Sequence, residues 1–351
     1  MKHNSLLMLF LTGILLSACV GATTKPEDYT TPSPAAVQQV SPGATQLITA
    51  TMEQIEPEAT ATLPATEPPT PTAILPLTAP TQAILVTPAR EALVIDHRSI
   101  ELFDRIPEEY IQAAAGLRLL FRHASVGYNI NEGLDCLMNK TQPRPYFCDA
   151  GIAPDQIVYD SKYNRSNWVF EFHAPPPGIN PGWWDKLTLF VERVVNPQPG
   201  EEYDVYGFKF GYVDGIQGSA IDDEFFLTQP GGTYPNISAL EELEARYPDK
   251  IFVYWTMGLA RIVGTPDSQS FNQQMRQYAL EHGKVLMDIA DIESHTPDGD
   301  ACFLSADMEL EVICPDYTTE KEGGHLNALG SLRMAKAMWV LMARLAGWDG
   351  R

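Results

Sequence analysis

An α/β fold of three layers, with helices on both faces of a mainly parallel five-stranded sheet, is predicted by three observations on this sequence. Short apolar, β-favouring runs alternate with longer segments whose apolar residues recur at helical spacing. The composition changes near residue 90, so the core-forming aromatic and aliphatic residues fall in one C-terminal stretch. Finally, Leu117-Arg-Leu-Leu-Phe-Arg-His-Ala-Ser-Val-Gly127 runs from strand through turn into helix, the unit from which such sheets are built.

The elements follow in order. A first strand is expected at Leu117–Phe121, feeding a helix from about Val126 with Ile130, Leu134 and Leu137 on one face. A second short strand is expected at Gln156–Tyr159, then a Pro- and Gly-rich loop through Pro175, Pro176 and Pro177. A helix from Trp183 carries Leu187, Phe190, Val191 and Val194 and stops before Pro197. Asp204 to Asp214 reads as the central strand. Asn236 is placed as the cap of a helix with Leu240, Leu243 and Tyr247 inward, ended by Pro248. Ile251–Trp255 is the fourth strand, Ser268 to Glu281 a helix stopped by Gly283, and Val285–Ile289 the fifth strand. A last helix from about Ala328 aligns Leu332, Ala335, Trp339, Met342 and Ala346 and ends at Gly347. In a sheet of this kind ligands meet the carboxyl ends of the strands. Ser125 and His325 therefore belong on one rim although they are far apart in sequence.

The other end of the 351-residue chain has a different character. Lys2 and His3 precede an apolar run, Leu6 to Leu16, too short to remain as a membrane span. Residues 1–19 are expected to be a signal peptide ending in Leu16-Ser-Ala-Cys19, which resembles the bacterial lipobox. That resemblance implies cleavage before Cys19, a lipid on its sulfur, and a place in the cell envelope facing outside the cytoplasm. Residues 20–90, rich in Thr, Pro and Ala, lack the apolar surface to offset ordering and are expected to be a disordered tether. Residues 91–351 then make one domain.

The formal charge of −21 excludes a nucleic-acid partner, because no basic face is clustered anywhere. Of the five cysteines, setting Cys19 aside leaves Cys136, Cys148, Cys302 and Cys314. Export permits disulfides, and the local pairs Cys136 with Cys148 and Cys302 with Cys314 are favoured among three connectivities. Buried free thiols are the competing reading. Zinc ligation lacks a Cys-x-x-Cys spacing.

A serine hydroxyl needs a base to take its proton, and the base needs an acid to hold its tautomer. Glu322-Gly-Gly-His325 offers both: a carboxylate three residues before an imidazole, on a loop before the last helix. Asp316 is an alternative acid. The competing reading makes His325 a helix-capping residue near Asn327. Trp183 and Trp184 are either a sugar-stacking platform or a helix start packed into the core. His173 sits in the long loop, and His295 has no evident partner. A metal hydrolase built on His123, His173 and His325 has no recognisable ligand spacing, and no cofactor is expected.

This order of residues resembles the SGNH (GDSL-like) hydrolase superfamily over about Leu117 to Trp348. Ser125 matches its nucleophile, Glu322-Gly-Gly-His325 its Asp-x-x-His pair with Glu for Asp, and Gly211-Tyr-Val-Asp214 its Gly-x-Asn-Asp block imperfectly. The resemblance implies a flavodoxin-like sheet and a serine esterase in which Ser125 attacks, His325 is the base and Glu322 orients it. It further implies that the N–H groups of Ser125 and Gly211 receive the oxyanion. Two positions depart from the pattern. Ala124 replaces an aspartate, and Val213 replaces the asparagine whose side chain donates to the oxyanion. Lys209 and His123 are expected near the rim as substitutes, and Asp214 either binds substrate or braces a loop. The expected partner is a small ester or acylated carbohydrate, the membrane is reached through Cys19, and the chain is expected to be a monomer. The alternative is a non-catalytic binding module at the cell surface that keeps the sheet.

Overall fold

The computed structural model describes residues 91–138, 148, 160–173, 180–217, 220–222, 236–305 and 308–351. The segments expected to be a signal peptide and a tether, Cys19, and the strand expected at Gln156–Tyr159 lie outside these residues.

The described residues fall in one compact unit. Its sheet holds β1 (Leu93–Ile95), β2 (Leu119–His123), β3 (Trp168–Phe172), β4 (Val205–Phe208), β5 (Ile251–Trp255) and β6 (Val285–Met287). The six strands lie in the order β1-β6-β5-β4-β2-β3 and every pairing is parallel. The expected parallel α/β sheet is therefore present; four of the five expected strands, β2, β4, β5 and β6, are among its six described strands. The additions are β1, which covers one edge beside β6, and β3, which covers the other beside β2.

Alternation along each strand divides the core. Leu119, Phe121, Val205, Val253, Trp255, Val285 and Met287 face one side, together with α1 (Glu108–Gly116), α2 (Val126–Leu137) and the last helix, α7 (Ala328–Leu345). Leu120, Tyr206, Phe208, Phe252, Tyr254 and Leu286 face the other, beneath α3 (Trp183–Val195), α4 (Asn236–Arg246) and α5 (Thr265–Glu281). Strands buried on both faces read as near-continuous apolar runs, which is how β2 and β5 look in the sequence.

Several boundaries differ from expectation for local reasons. The central strand ends at Phe208, and Tyr212–Gln217 turns as a 3-10 helix. Helix α5 starts at Thr265, three residues before the expected Ser268, because Gly264 adopts a left-handed conformation (φ 69°) and Pro266 is tolerated in a first turn. Asn236 is the first residue of α4. Ile289 opens a short helix, α6 (Ile289–Glu293), so β6 stops at Met287. Asn327 caps α7, its Oδ1 accepting from the Gly330 N–H at 3.0 Å.

Both expected disulfides are formed, Cys136–Cys148 and Cys302–Cys314, with Cα separations of 5.8 and 5.4 Å. The second spans a small antiparallel hairpin of β7 (Phe303–Ser305) and β8 (Met308–Glu311).

The chain leaves β2 toward β3 on one side and returns through β4 on the other. At the carboxyl end of β2 this reversal is the point where open α/β sheets place their ligands. Ser125 occupies this point.

Candidate active site

Ser125 is the one non-glycine residue with positive φ among those described (φ 53°, ψ −117°). A β-carbon is disfavoured there, at a cost of roughly 1–3 kcal/mol. The strain comes from reversing the chain between His123, the last residue of β2, and Val126, the first of α2. A tight strand-to-helix turn of this kind lifts a serine hydroxyl above the sheet. The N–H groups of Ser125 and Val126 donate to no described residue and lie at the start of α2, where helical N–H groups lack partners.

The Ser125 Oγ lies 2.6 Å from His325 Nε2, across 200 residues of sequence. On the far side of the ring, His325 Nδ1 faces Glu320 Oε1 at 2.7 Å, and the His325 N–H donates to Glu320 Oε2 at 3.1 Å. One carboxylate thus grips both ring and backbone of the same histidine. Burial works to raise the Glu320 pKa, but the hydrogen bonds from the His325 backbone and ring outweigh it and hold the carboxyl below its ordinary value.

The carboxylate that meets His325 is therefore Glu320, not the expected Glu322. The Glu322 side chain is exposed, and its carbonyl accepts from Ile262 and Val263 at 3.2 and 3.3 Å, which points the loop away from the ring. Asp316 is also exposed, with its carbonyl taken by Asn327 Nδ2. The two glycines matter through close approach. A β-carbon on Gly323 would fall 1.9 Å from Glu320 Oε2, and one on Gly324 would fall 2.0 Å from the Leu259 carbonyl oxygen. The loop is fastened to its surroundings on both sides. Arg261 N–H donates to Gly323 O at 2.9 Å, and Leu326 N–H donates to Asn129 Oδ1, one turn along α2 from Ser125, at 3.2 Å. Tyr212 sets its ring edge-on to His325, with its hydroxyl 3.3 Å from Nδ1.

The residues expected around the oxyanion are placed differently. The Gly211 N–H donates to Asp214 Oδ2 at 2.6 Å, so it is already used. Asp214 also pairs with Lys186 Nζ, and both side chains are buried. Asp214 is therefore a loop brace. Its ion pair raises the Lys186 pKa, but burial is the larger effect and the net direction is down.

Lys209 and His123 do not reach the rim. His123 is still within β2, paired with Phe172, and its ring packs against Phe121, Phe170 and Phe172. Burial, with Lys209 and Arg122 nearby, pushes its pKa down to about 3. Lys209 is fully buried, its Nζ donating to the Phe210 carbonyl at 3.2 Å. It faces the buried Glu293 electrostatically, and burial drives both groups toward their neutral forms. Glu293 Oε2 accepts from the Leu259 N–H at 2.6 Å, which holds the segment against which Gly324 packs. His173 is buried, with neither ring nitrogen hydrogen-bonded, and its pKa lies well below the usual imidazole value through burial and the surrounding cations. Trp183 stacks on Phe210 in the core, at a ring separation of 4.3 Å. Val213 is exposed, as are Tyr128 and Ile262.

The structure brings together Ser125 and His325, as expected, and sets Glu320, Asn129 and Tyr212, none of them anticipated, around them. The missed signal for Glu320 was Gly323, a residue whose smallness makes room for a carboxylate arriving from behind it.

The arrangement defines a parallel α/β protein with a Ser-His-Glu relay at the carboxyl end of a central strand. No protein-family profile matches the chain, and no curated protein matches it. Two solved structures overlap it. One is a crystal structure described as a possible lipase from Chitinophaga pinensis DSM 2588, with a TM-score of 0.34 and 11% identity, covering 65% of this chain and 98% of that one. The second has a TM-score of 0.32 and 14% identity, covering 66% and 99%. Neither assigns a chemistry to this chain.

Proposed function

We propose that this protein is a serine hydrolase acting on esters. The observation that carries the proposal is the continuous relay from Ser125 Oγ through His325 to Glu320. Ser125 Oγ attacks the ester carbonyl carbon and its proton passes to His325 Nε2. The imidazolium is stabilised by Glu320 on Nδ1, which also fixes the tautomer. Collapse of the tetrahedral adduct expels the alcohol, which takes the proton from Nε2, and water repeats the sequence to free the acid. The Ser125 N–H is the oxyanion donor, joined by Val126 N–H at the same helix start. The order of these residues resembles that of SGNH hydrolases, and the two disulfides fit an oxidising compartment outside the cytoplasm. Lipid attachment at Cys19 and an acylated carbohydrate as substrate belong to the same proposal.

One observation favours a second reading, a binding module without turnover. Gly211 N–H is spent on Asp214 and Val213 has no side-chain donor, so the oxyanion site is thinner than the resemblance implied. Missing one such donor costs on the order of 100-fold to 1000-fold in rate.

A fluorophosphonate probe with peptide mapping, beside hydrolysis of a small arylacetate, decides between them. The esterase reading expects label on Ser125, abolished in Ser125→Ala and in His325→Ala. A folded protein that neither takes the label nor cleaves the ester is the binding module.

A further inference from the structure

His295, which has no evident partner in the sequence, acquires two in the fold. His97 follows β1, and Asp291 and His295 lie on and just after α6, which follows β6. Because β1 and β6 are neighbours, the three side chains meet at the same carboxyl edge of the sheet as Ser125. They are at its far end, however, three to four strand spacings or roughly 15–20 Å away. One potential ligand atom from each lies within 4.8 Å of the others. The two imidazoles stack at 3.8 Å with their planes 8° apart, and both turn Nδ1 toward Asp291.

We propose that His97, Asp291 and His295 bind a divalent transition-metal ion of the zinc or copper type. Two imidazoles and a carboxylate are the donor set such borderline cations take, with solvent completing the coordination. A cation bonding nitrogen and oxygen at about 2.1 Å with angles near 90–109° holds them roughly 3.0–3.4 Å apart. The observed separations bracket this range: 2.5 Å for His97 Nδ1 to Asp291 Oδ2 and 3.5 Å for His295 Nδ1 to Asp291 Oδ1. Turning the stacked rings out of parallel, so that both in-plane Nδ1 lone pairs point at one position, brings both into it, with His295 Nδ1 leaving the Asp291 carbonyl oxygen that it meets at 2.8 Å.

The frame is already fixed. The His97 N–H donates to Asp291 Oδ2 at 2.8 Å, the Tyr317 hydroxyl donates to the His295 carbonyl at 2.8 Å, and the Ser294 hydroxyl lies 3.4 Å from His295 Nδ1. The side chains are 14% and 18% exposed, shielded yet open to an ion. Arg333 is the nearby opposing charge that interacts with Asp291, and its Nε is directed to the Ile292 carbonyl. Bound metal would clamp the first described strand to α6, so its role is structural and separate from Ser125.

The test uses the full, untagged chain carrying Cys19→Ser, which removes the thiol outside the two disulfides. Zinc titrated by calorimetry is expected to bind one ion per chain. His97→Gln and His295→Gln, each folded by circular dichroism, should each weaken binding by about 10-fold or more. Copper(II) loaded into the Cys19→Ser chain with His3→Ala, which removes the amino-terminal Met-Lys-His copper site, should give an electron paramagnetic resonance signal split by two imidazole nitrogens, a readout independent of the His97 and His295 variants. Absence of stoichiometric binding, binding unchanged in both variants, or a copper signal without that nitrogen splitting would overturn the assignment. Esterase activity plays no part in any of these readings.

Discussion

At the scale of single residues, Glu320 and Glu322 differ by two positions and by everything that matters to His325. Glu320 holds the ring and the backbone N–H of the histidine, whereas Glu322 faces solvent. Glu320→Gln should therefore lower kcat/KM on an arylacetate by on the order of 100-fold to 10,000-fold, as loss of the orienting carboxylate does in a triad. Glu322→Gln should change it by less than about 2-fold, in line with a surface substitution. Steady-state kinetics on the two variants checks the pair. The sequence pointed to an acid on this loop because carboxylate and imidazole lie close together in it. It misidentified the acid because spacing alone does not reveal which way a Gly-Gly loop folds. His123 and Lys209 were misplaced for a related reason: each sits at or just beyond a strand end, where sequence does not tell the last buried residue from the first on the rim.

Elements were legible in proportion to their length and regularity. Helices α2, α3, α4, α5 and α7 carry apolar residues at helical spacing, and those residues are the ones that pack inward. The three residues of β1 are too few to show a period. β3, Trp-Val-Phe-Glu-Phe, lies beside a Pro-rich stretch that drew it into a loop reading. The β7–β8 hairpin has exposed residues on both strands and left no pattern to find. Its disulfide, Cys302–Cys314, closes a separation of 12 residues and also anchors the start of the acid loop, where Cys314 N–H meets the Glu293 carbonyl at 2.9 Å. Replacing both cysteines with serine should cost about 2–4 kcal/mol of unfolding free energy. Urea denaturation of that variant beside the unsubstituted chain measures it.

For the whole molecule, pH acts through groups that folding keeps uncharged. His123 is neutral in the fold down to about pH 3, and His173 is likewise depressed, while an unfolded chain protonates histidine near its ordinary value of 6.5. Through these two histidines the unfolded state binds more protons below that value, so their contribution to stability falls as pH drops from about 6.5 toward 3, opposed by Glu293, whose pKa, raised by burial to about 8, favours the fold on acidification. Glu320 adds to the loss in the same direction, because its lowered pKa stabilises the fold only while the carboxylate stays ionised. His123→Phe preserves the aromatic packing and removes one of these protons. Its stability should decline less steeply on acidification, by up to about 1.4 kcal/mol per pH unit, as read from urea midpoints between pH 7 and pH 4. The three-layer architecture itself was readable because parallel strands buried on both faces show as short, near-continuous apolar runs joined by helices. The polar groups sealed between those layers were not, since nothing in a sequence marks a lysine as interior.

The turn at Ser125 sets two properties of the protein against each other. Glycine would adopt its φ of 53° and ψ of −117° without crowding a β-carbon. Ser125→Gly should raise the melting temperature while ending all reaction with the fluorophosphonate, an outcome that calorimetry and labelling of one variant report together. The protein would be sturdier without its proposed nucleophile, and any effort to harden the fold by relieving unfavourable backbone angles must leave this position alone.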